Sequence, residues 1–267
     1  MRKLNSPAGS AQRTFRNIGD AKHKSQRSAL KSLRRRVYKA YRDYPVYLNS
    51  ISPITLSTQQ AQALRSCYNS RTKTLTDLRQ DILNLAGSSC PYCGVDRPTT
   101  VDHFAPKEDY PEFSVFPLNL VGCCDLCNIA KGTDFLANGR RLFLHGYLDQ
   151  LPANTNCLRT KIHWQNGHPK FTFFLAFTPA IQLSLFVTLA EHVHRLGLLE
   201  SYSKVAHEEF NDQSDWIVNT DTRATLRLRI LRNIAKKRVL DGPLSWRVAL
   251  WEAVHGDNAT IDYLRNL

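Results

Sequence analysis

The chain has 267 residues, of which 42% are hydrophobic, and a formal net charge of +13. This length allows one large domain or two to three small units. Its seven cysteines include two Cys-x-x-Cys pairs and leave an odd remainder of three. This count argues against a disulfide framework and favours the reducing cytoplasm. The N-terminus is charged from Arg2 and lacks an apolar segment, so we expect no secretory signal, although its Arg- and Ser-rich composition is also typical of mitochondrial transit peptides.

The positive charge is concentrated near the N-terminus. Residues 1–50 carry 13 Lys and Arg against 2 Asp, a net charge of +11, whereas residues 90–140 carry 4 Lys and Arg against 7 Asp and Glu, a net charge of −3. A basic segment neutralises phosphates and gains from counterion release, and an acidic centre attracts divalent cations. This distribution favours a nucleic-acid partner over the alternatives, a solubilising tail or a surface for an acidic protein.

Residues 1–24 are predicted to be a basic flexible arm, because they show no apolar periodicity. Residues 25–87 are predicted to be a basic helical region. Its first helix runs from Ser25 to Tyr44 and has one apolar face and one basic face. A helix lying on a membrane surface has a similar pattern, but the tyrosine-rich apolar face favours packing on the protein. On the basic face, the predicted substrate contacts are Arg34, Arg35 and Arg36.

A second, long helix is predicted between Ser57 and Gly87. Ser57 and Gln60 have the spacing of a capping box, and Gly87 is a natural end for the helix. Pro45 and Pro53 separate this helix from the first.

Residues 88–145 hold the strongest motif. Two Cys-x-x-Cys pairs separated by a loop are typical of a structural Zn²⁺ site, because four thiolates suit tetrahedral coordination. Cys123 precedes the second pair and offers an alternative partner for Cys127, but the spacing favours Cys124. The predicted zinc ligands are Cys90, Cys93, Cys124 and Cys127.

The same segment contains the groups that metal-assisted phosphodiester hydrolysis requires. His103 has a side chain that titrates near neutrality, which suits a general base that takes a proton from water. Asp102 and Asn128 offer oxygen ligands for a hard cation such as Mg²⁺ or Mn²⁺. Each residue also has a simpler interpretation: the Asp-His pair as a surface hydrogen bond, Asn119 as a turn residue and Asn128 as a helix cap.

These motifs resemble the HNH endonuclease family, also called His-Me finger or ββα-metal nucleases, in its zinc-stapled form. The resemblance covers residues 90–132 and is carried by DHFAPK at 102–107, NL at 119–120 and CDLCNIAKG at 124–132. Together with the helices predicted on either side, it implies an α+β, helix-rich protein with a central ββα-metal module flanked by helical regions.

The resemblance also implies a role for each motif residue. Asp102 becomes a ligand of the catalytic cation and His103 the general base. Asn119 braces the loop that aims the histidine, and Asn128 completes the cation site. Family members often have His where this chain has Asn128, which weakens the expected cation site. Lys107 and Lys131 are predicted to contact the substrate phosphate, with a solvated lysine as the alternative.

Residues 146–267 are predicted to form a strand-then-helix region without an assignable motif. Strands are expected at 141–147 and 170–177, and a basic helix or helix pair at about 213–239, with Trp216 and Ile217 at its start. The uncharged stretch 171–190 is long enough to span a membrane, but Pro179, Gln182 and Ser184 interrupt it, so we expect no span.

The sequence therefore predicts a cytoplasmic, metal-dependent endonuclease acting on DNA, with structural Zn²⁺ and catalytic Mg²⁺ or Mn²⁺. HNH proteins of this kind also resemble the nucleases of Septu- and Zorya-type anti-phage systems. That resemblance implies an ATPase or another defence protein as partner. Two rival hypotheses remain: a zinc-stabilised nucleic-acid-binding module without catalysis, and an RNase active only with a partner.

Overall fold

A computed structural model describes residues 3–152, 156–214 and 222–266 of the chain. It is 54% helical with small antiparallel sheets, which confirms the prediction of a helix-rich protein containing both kinds of element. The chain forms two compact units, one comprising residues 4–92 and 96–149 and the other residues 150–267 with 1–3 and 93–95. None of the helices in the described ranges is both long and apolar enough to cross a membrane.

The N-terminal part of the first unit is helical. Its helices are α1 (Ala11–Asp20), α2 (Lys24–Tyr47), α3 (Thr58–Cys67) and α4 (Lys73–Ala86). The prediction of a flexible arm over residues 1–24 is wrong for α1, which Ser10 caps by accepting a hydrogen bond from the Arg13 amide. Phe15 and Ile18 are buried, and the Phe15 ring lies 6.2 Å from that of Tyr38 on α2. Because Phe15 and Ile18 lie three positions apart, they share one face of α1 and dock it on the protein.

The long helix predicted between Ser57 and Gly87 is two helices. Both predicted ends are present, since the Ser57–Gln60 capping box forms and Gly87 ends α4 with a φ of 69°. The break lies after Cys67, where Thr72 caps a new helix by accepting a hydrogen bond from the Leu75 amide. Apolar periodicity continues across the break, so it could not reveal the cap.

The motif segment folds as strand, loop, strand and helix. Strands β1 (Thr100–His103) and β2 (Leu120–Cys123) pair antiparallel, with His103 opposite Leu120, and α5 (Asp125–Lys131) follows. Helix α4 packs on β2 at Gly122, where an added Cβ would lie 2.9 Å from the Ala86 Cβ. A short hairpin of β3 (Leu136–Ala137) and β4 (Arg140–Arg141) comes next, so most of the strand predicted at 141–147 is not a strand.

Within the described residues, the second unit contains a β-hairpin and five helices. Strands β5 (Leu158–Gln165) and β6 (His168–Leu175) pair across an Asn166–Gly167 turn, with φ values of 53° and 76°. Strand β6 includes most of the predicted strand, whereas β5 was not predicted. The helices are α6 (Leu183–Arg195), α7 (Leu198–Ser214), α8 (Arg223–Asp241), α9 (Trp246–Gly256) and α10 (Asn258–Arg265). The basic helix predicted at 213–239 corresponds to α8, and Trp216 and Ile217 lie outside the described residues.

Candidate functional site

Four buried cysteines form a cluster that could hold a zinc ion. The sulfur atoms of Cys90, Cys93, Cys124 and Cys127 all lie within 4.8 Å of one another. A tetrahedral Zn²⁺ with bonds of about 2.3 Å places its sulfurs about 3.8 Å apart, so the cluster has the size and chemistry for one ion. Cys123 belongs to β2 and lies outside the cluster, as its spacing predicted.

The backbone around the cluster supports a metal-bound arrangement. The Cys90 amide donates to the Asp96 carbonyl at 2.7 Å and closes the first cysteine turn. Cys124 occupies the N-cap of α5, and the Asn128 amide donates to its carbonyl at 3.0 Å. A helix N-terminus carries partial positive charge, which stabilises thiolates in its first turn.

His103 ends β1 with a fixed ring orientation. Its Nε2 lies 2.9 Å from the Ser114 carbonyl, which can only accept a hydrogen bond, so Nε2 carries the proton and Nδ1 is left as an acceptor. Nδ1 has no hydrogen-bond partner among the described residues. Tyr68 contacts the imidazole edge-on, with the ring centroids 4.3 Å apart. Burial lowers the pKa of His103 from 6.5 to about 4 against the effect of the Ser114 carbonyl, so the imidazole is neutral at pH 7.

Asp102 lies beside His103 in a buried polar network. Its Oδ2 accepts a hydrogen bond from the Tyr92 hydroxyl at 2.7 Å, and its Oδ1 lies 3.2 Å from the Lys131 ammonium. The same ammonium donates to the His103 carbonyl at 3.0 Å. Lys131 is 1% exposed. In this structure the lysine therefore faces Asp102 and does not reach a phosphate in the cleft, contrary to the prediction of a substrate contact.

Asn119 braces the loop between the two strands. Its side-chain amide donates to the Ala105 carbonyl at 2.9 Å and to the Phe113 carbonyl at 3.3 Å. Its oxygen accepts from the Ala105 amide at 2.8 Å and from the Tyr44 hydroxyl at 2.8 Å. The residue is fully buried. These bonds tie both ends of the loop that carries the His103 acceptor, Ser114.

Asn128 lies on α5 at the edge of β1. Its Nδ2 donates a long hydrogen bond of 3.4 Å to the Thr100 hydroxyl. Its amide oxygen has no hydrogen-bond partner in the described ranges, which leaves that oxygen free to bind a cation.

A cleft of about 300 Å³ brings the motif residues together. Asp102, His103 and Asn128 line it, as does Lys107, which forms an ion pair with Glu108 at 3.0 Å. Although Asp102 and His103 are successive strand residues, both reach this cleft. Two side chains with hard-cation oxygens and an imidazole acceptor thus line one cleft, with both Asp102 oxygens already paired with Tyr92 and Lys131. The donor set fits Mg²⁺ or Mn²⁺, which are often held by one or two protein oxygens with water and phosphate.

The three predicted arginine contacts lie outside this cleft. Arg34 pairs with Asp20, and Arg36 donates to the Thr55 carbonyl, whereas Arg35 is exposed. The described surface thus leaves Arg35 as the member of the trio that could bind phosphate without breaking an existing contact.

Four residues of the site were missed from the sequence. Ser114 and Tyr92 contact the motif residues through a carbonyl and a hydroxyl, and neither has a distinctive spacing. Tyr44 and His145 lie behind Asn119, with the Tyr44 hydroxyl 3.3 Å from His145 Nε2. They are separated from each other by 101 positions in the sequence, so no local pattern links them.

Comparison with known proteins gives one partial similarity. The chain is 42% identical over 72 residues to "Protein ea31" of Escherichia phage lambda. The match covers 26% of this chain and 24% of the phage protein, so most of both lies outside the similarity. No family model matches the chain, and no solved structure matches it.

Proposed function

We propose that this protein is a metal-dependent endonuclease of the HNH type that hydrolyses DNA phosphodiester bonds. The observation that carries the proposal is the fixed tautomer of His103. The Ser114 carbonyl holds the Nε2 proton 2.9 Å away, so Nδ1 is the acceptor in a cleft that also contains Asp102 and Asn128.

In the proposed reaction, His103 Nδ1 takes a proton from a water molecule, whose oxygen attacks the phosphorus. The phosphorus–oxygen bond to the leaving group then breaks, and the released oxygen takes a proton from solvent water. Asp102 and Asn128 would hold the divalent cation, which when bound stabilises the charge that develops on the phosphate and leaving oxygen. Asn119 keeps the loop closed, so that the Ser114 carbonyl stays aligned with the histidine. Lys107 lies at the cleft, where its ammonium can exchange the carboxylate of Glu108 for a phosphate oxygen.

Substrate binding would use the basic surface of the first unit. Arg35 is exposed on α2, and residues 4–50 of this unit carry 11 Lys and Arg against 2 Asp. Such a surface binds duplex DNA and RNA alike through phosphates. We propose DNA as the substrate from the HNH resemblance. The same resemblance supports a role in anti-phage defence with an ATPase partner in the cytoplasm.

The decisive experiment compares plasmid cleavage by the wild-type chain and His103→Ala with Mg²⁺ or Mn²⁺. We expect the variant to lose at least about 100-fold in rate, because general-base catalysis contributes that much. His163→Ala, which alters an exposed histidine of β5, is the matched control and should cut normally. Zinc content is measured in all three proteins, so that a loss of folding is not read as a loss of chemistry.

Three results would overturn parts of the proposal. Equal cutting by His103→Ala and wild type would exclude His103 as the base. Cutting of RNA in preference to DNA would show that DNA is not the preferred substrate. DNA binding without cutting, with or without added divalent cation, would exclude catalysis by the isolated chain.

One observation favours a second candidate, a zinc-stabilised module that binds nucleic acid without cutting it. The Lys131 ammonium already neutralises Asp102 at 3.2 Å, in the place where a catalytic cation would bind. If Lys131 replaces the cation, the protein should bind DNA equally well with EDTA or Mg²⁺ and cut it in neither.

A further inference from the structure

We propose that Tyr44 and His145 are positioning residues for His103, acting through the side chain of Asn119. The inference rests on the proposed function for its kinetic consequence, whereas its structural consequence can be measured independently. Neither residue touches the cleft, and neither belongs to the motifs that predicted the site.

The first step concerns the orientation of the Asn119 amide. The backbone of Ala105 offers one donor and one acceptor to it, at 2.8 and 2.9 Å. Tyr44 adds a donor to the amide oxygen at 2.8 Å, and Phe113 adds an acceptor for the amide nitrogen at 3.3 Å. All four bonds require the same orientation, because a flipped amide would face donors with its own N–H groups.

The second step concerns the direction of the hydrogen bonds behind Asn119. Because Tyr44 gives its hydroxyl proton to Asn119, it can only accept from His145, whose Nε2 lies 3.3 Å away. His145 Nδ1 accepts from the amides of Tyr147 and Leu148, both at 3.3 Å, and so carries no proton. The Leu118 carbonyl, which can only accept, is a second acceptor for the one proton of this imidazole. Nε2 is therefore the protonated nitrogen, as a donor toward Tyr44 requires.

The third step connects this chain of bonds to the catalytic histidine. Asn119 bonds to residues 105 and 113, which are two positions after His103 and one before Ser114. It thus holds both segments that form the His103 Nε2–Ser114 bond. The ring of Phe104, the residue after His103, lies 4.3 Å from the His145 ring. A shift of Tyr44 or His145 would therefore be passed directly to the histidine and its acceptor.

The hydroxyl of Tyr44 can be removed without changing the packing of its ring. The ring contacts Phe113 and Phe116 edge-on at centroid distances of 4.9 and 5.2 Å. Tyr44→Phe keeps these contacts, and Asn119 keeps its two bonds to Ala105. The protein should therefore fold, while the amide loses the partner that ties it to α2.

The chain offers a matched control one helical turn earlier. Tyr41 is also buried on α2, and its ring stacks on Phe116 at 4.1 Å. Its hydroxyl has no hydrogen-bond partner among the described residues. Tyr41→Phe therefore removes the same atom from the same helix without removing a hydrogen bond.

The experiment measures the tautomer of His103 by ¹⁵N NMR and the cleavage rate in zinc-loaded wild type, Tyr44→Phe and Tyr41→Phe. The His103 signals are assigned with His103→Ala. We expect Tyr44→Phe to convert a single Nε2-protonated form into a mixture and to lower kcat about tenfold at unchanged KM. Tyr41→Phe should match the wild type in both readouts.

An identical His103 spectrum in Tyr44→Phe and Tyr41→Phe would overturn the proposal, whatever the cleavage rates. If the wild type cuts no nucleic acid, the proposed function fails, and the spectra still decide whether Tyr44 positions His103. An altered spectrum with an unchanged kcat would overturn the catalytic relevance of the positioning.

Discussion

The Lys131 ammonium lies 3.2 Å from Oδ1 of Asp102, and both side chains are buried. Tyr92 donates to the other carboxylate oxygen, and the His103 carbonyl accepts from the ammonium. The network joins β1 to the end of α5, so it holds the two sides of the cleft together. Removing one charge would leave the other buried without compensation, which is among the most destabilising changes in a protein interior.

Lys131→Met should therefore lower the free energy of unfolding by about 3–5 kcal/mol. The double variant Asp102→Asn with Lys131→Met should recover much of that loss, because it leaves no buried charge. Urea unfolding of zinc-loaded proteins measures both. Lys73→Met, which breaks an exposed ion pair with Asp77, is the control and should change stability by less than about 1 kcal/mol. A double variant as unstable as Lys131→Met alone would contradict the buried ion pair.

Substitution of a cysteine in the cluster should remove the zinc, whereas substitution of a cysteine outside the cluster should not. Cys90→Ala removes one of the four clustered sulfurs and should abolish stoichiometric Zn²⁺ binding and cooperative unfolding of the first unit. Cys123→Ala alters an equally buried cysteine outside the cluster and should retain the metal. Elemental analysis of the purified proteins gives the stoichiometry. Zinc loss in Cys123→Ala together with retention in Cys124→Ala would show that the second pair is wrongly assigned.

Gly122 predicts a steric limit in the contact between α4 and β2. An Ala Cβ there would lie 2.9 Å from both the Ala86 Cβ and the Ile82 carbonyl oxygen, so the backbone would have to move. Gly122→Ala should cost about 1–3 kcal/mol of stability in a thermal or urea unfolding experiment. At Gly256 an added Cβ meets no atom within 4 Å, so Gly256→Ala is the control and should not destabilise the protein. Equal stability of the two variants would refute the close approach.

His145 predicts a loss of stability in mild acid. Burial, together with Arg141 and against Asp149, lowers the pKa of His145 from 6.5 to about 3. Below pH 6.5 the unfolded chain binds a proton that the folded protein excludes, so the stability contribution is complete above that pH and declines as the pH falls. Between pH 7.5 and 5.5 this decline amounts to about 1.4 kcal/mol for one histidine.

The measurement is the difference in unfolding free energy between wild type and His145→Asn across that pH range. Subtraction removes the parallel contributions of other histidines and of the zinc thiolates. The advantage of the wild type should shrink toward pH 5.5. A constant difference would mean that His145 is not held neutral in the folded protein.

The sequence predicted the parts of the site that depend on short spacings. Two Cys-x-x-Cys pairs predicted the cluster, and their spacing favoured Cys124 over Cys123 as the partner of Cys127, as the structure has it. The Ser57 cap and the Gly87 helix end are also local and were predicted correctly. These features could be predicted because each depends on residues that are close together in the sequence.

The parts that escaped prediction depend on tertiary contacts. Helix α1 is held by Phe15 and Ile18, which are too few to produce a visible period in a basic segment. The inward orientation of Lys131 depends on Asp102, 29 positions away. The position of Lys131 on α5 alone suits a buried lysine as well as an exposed one, so the sequence could not decide between them. Tyr44 was predicted only as an apolar contact, because the hydrogen bond of its hydroxyl joins residues 75 positions apart.

The two bonds between Asn119 and Ala105 close the β1–β2 loop at its base. Farther out, Glu108 and Asp109 are exposed and Lys107 is partly exposed. Asn119 also bonds to the Phe113 carbonyl on the far side of this segment, so both of its flanks are held by the same side chain. Lys107 and Glu108 line the cleft between these two anchored flanks. We therefore expect substitutions at 107–109 to change the charge offered to a substrate more than they change the position of His103.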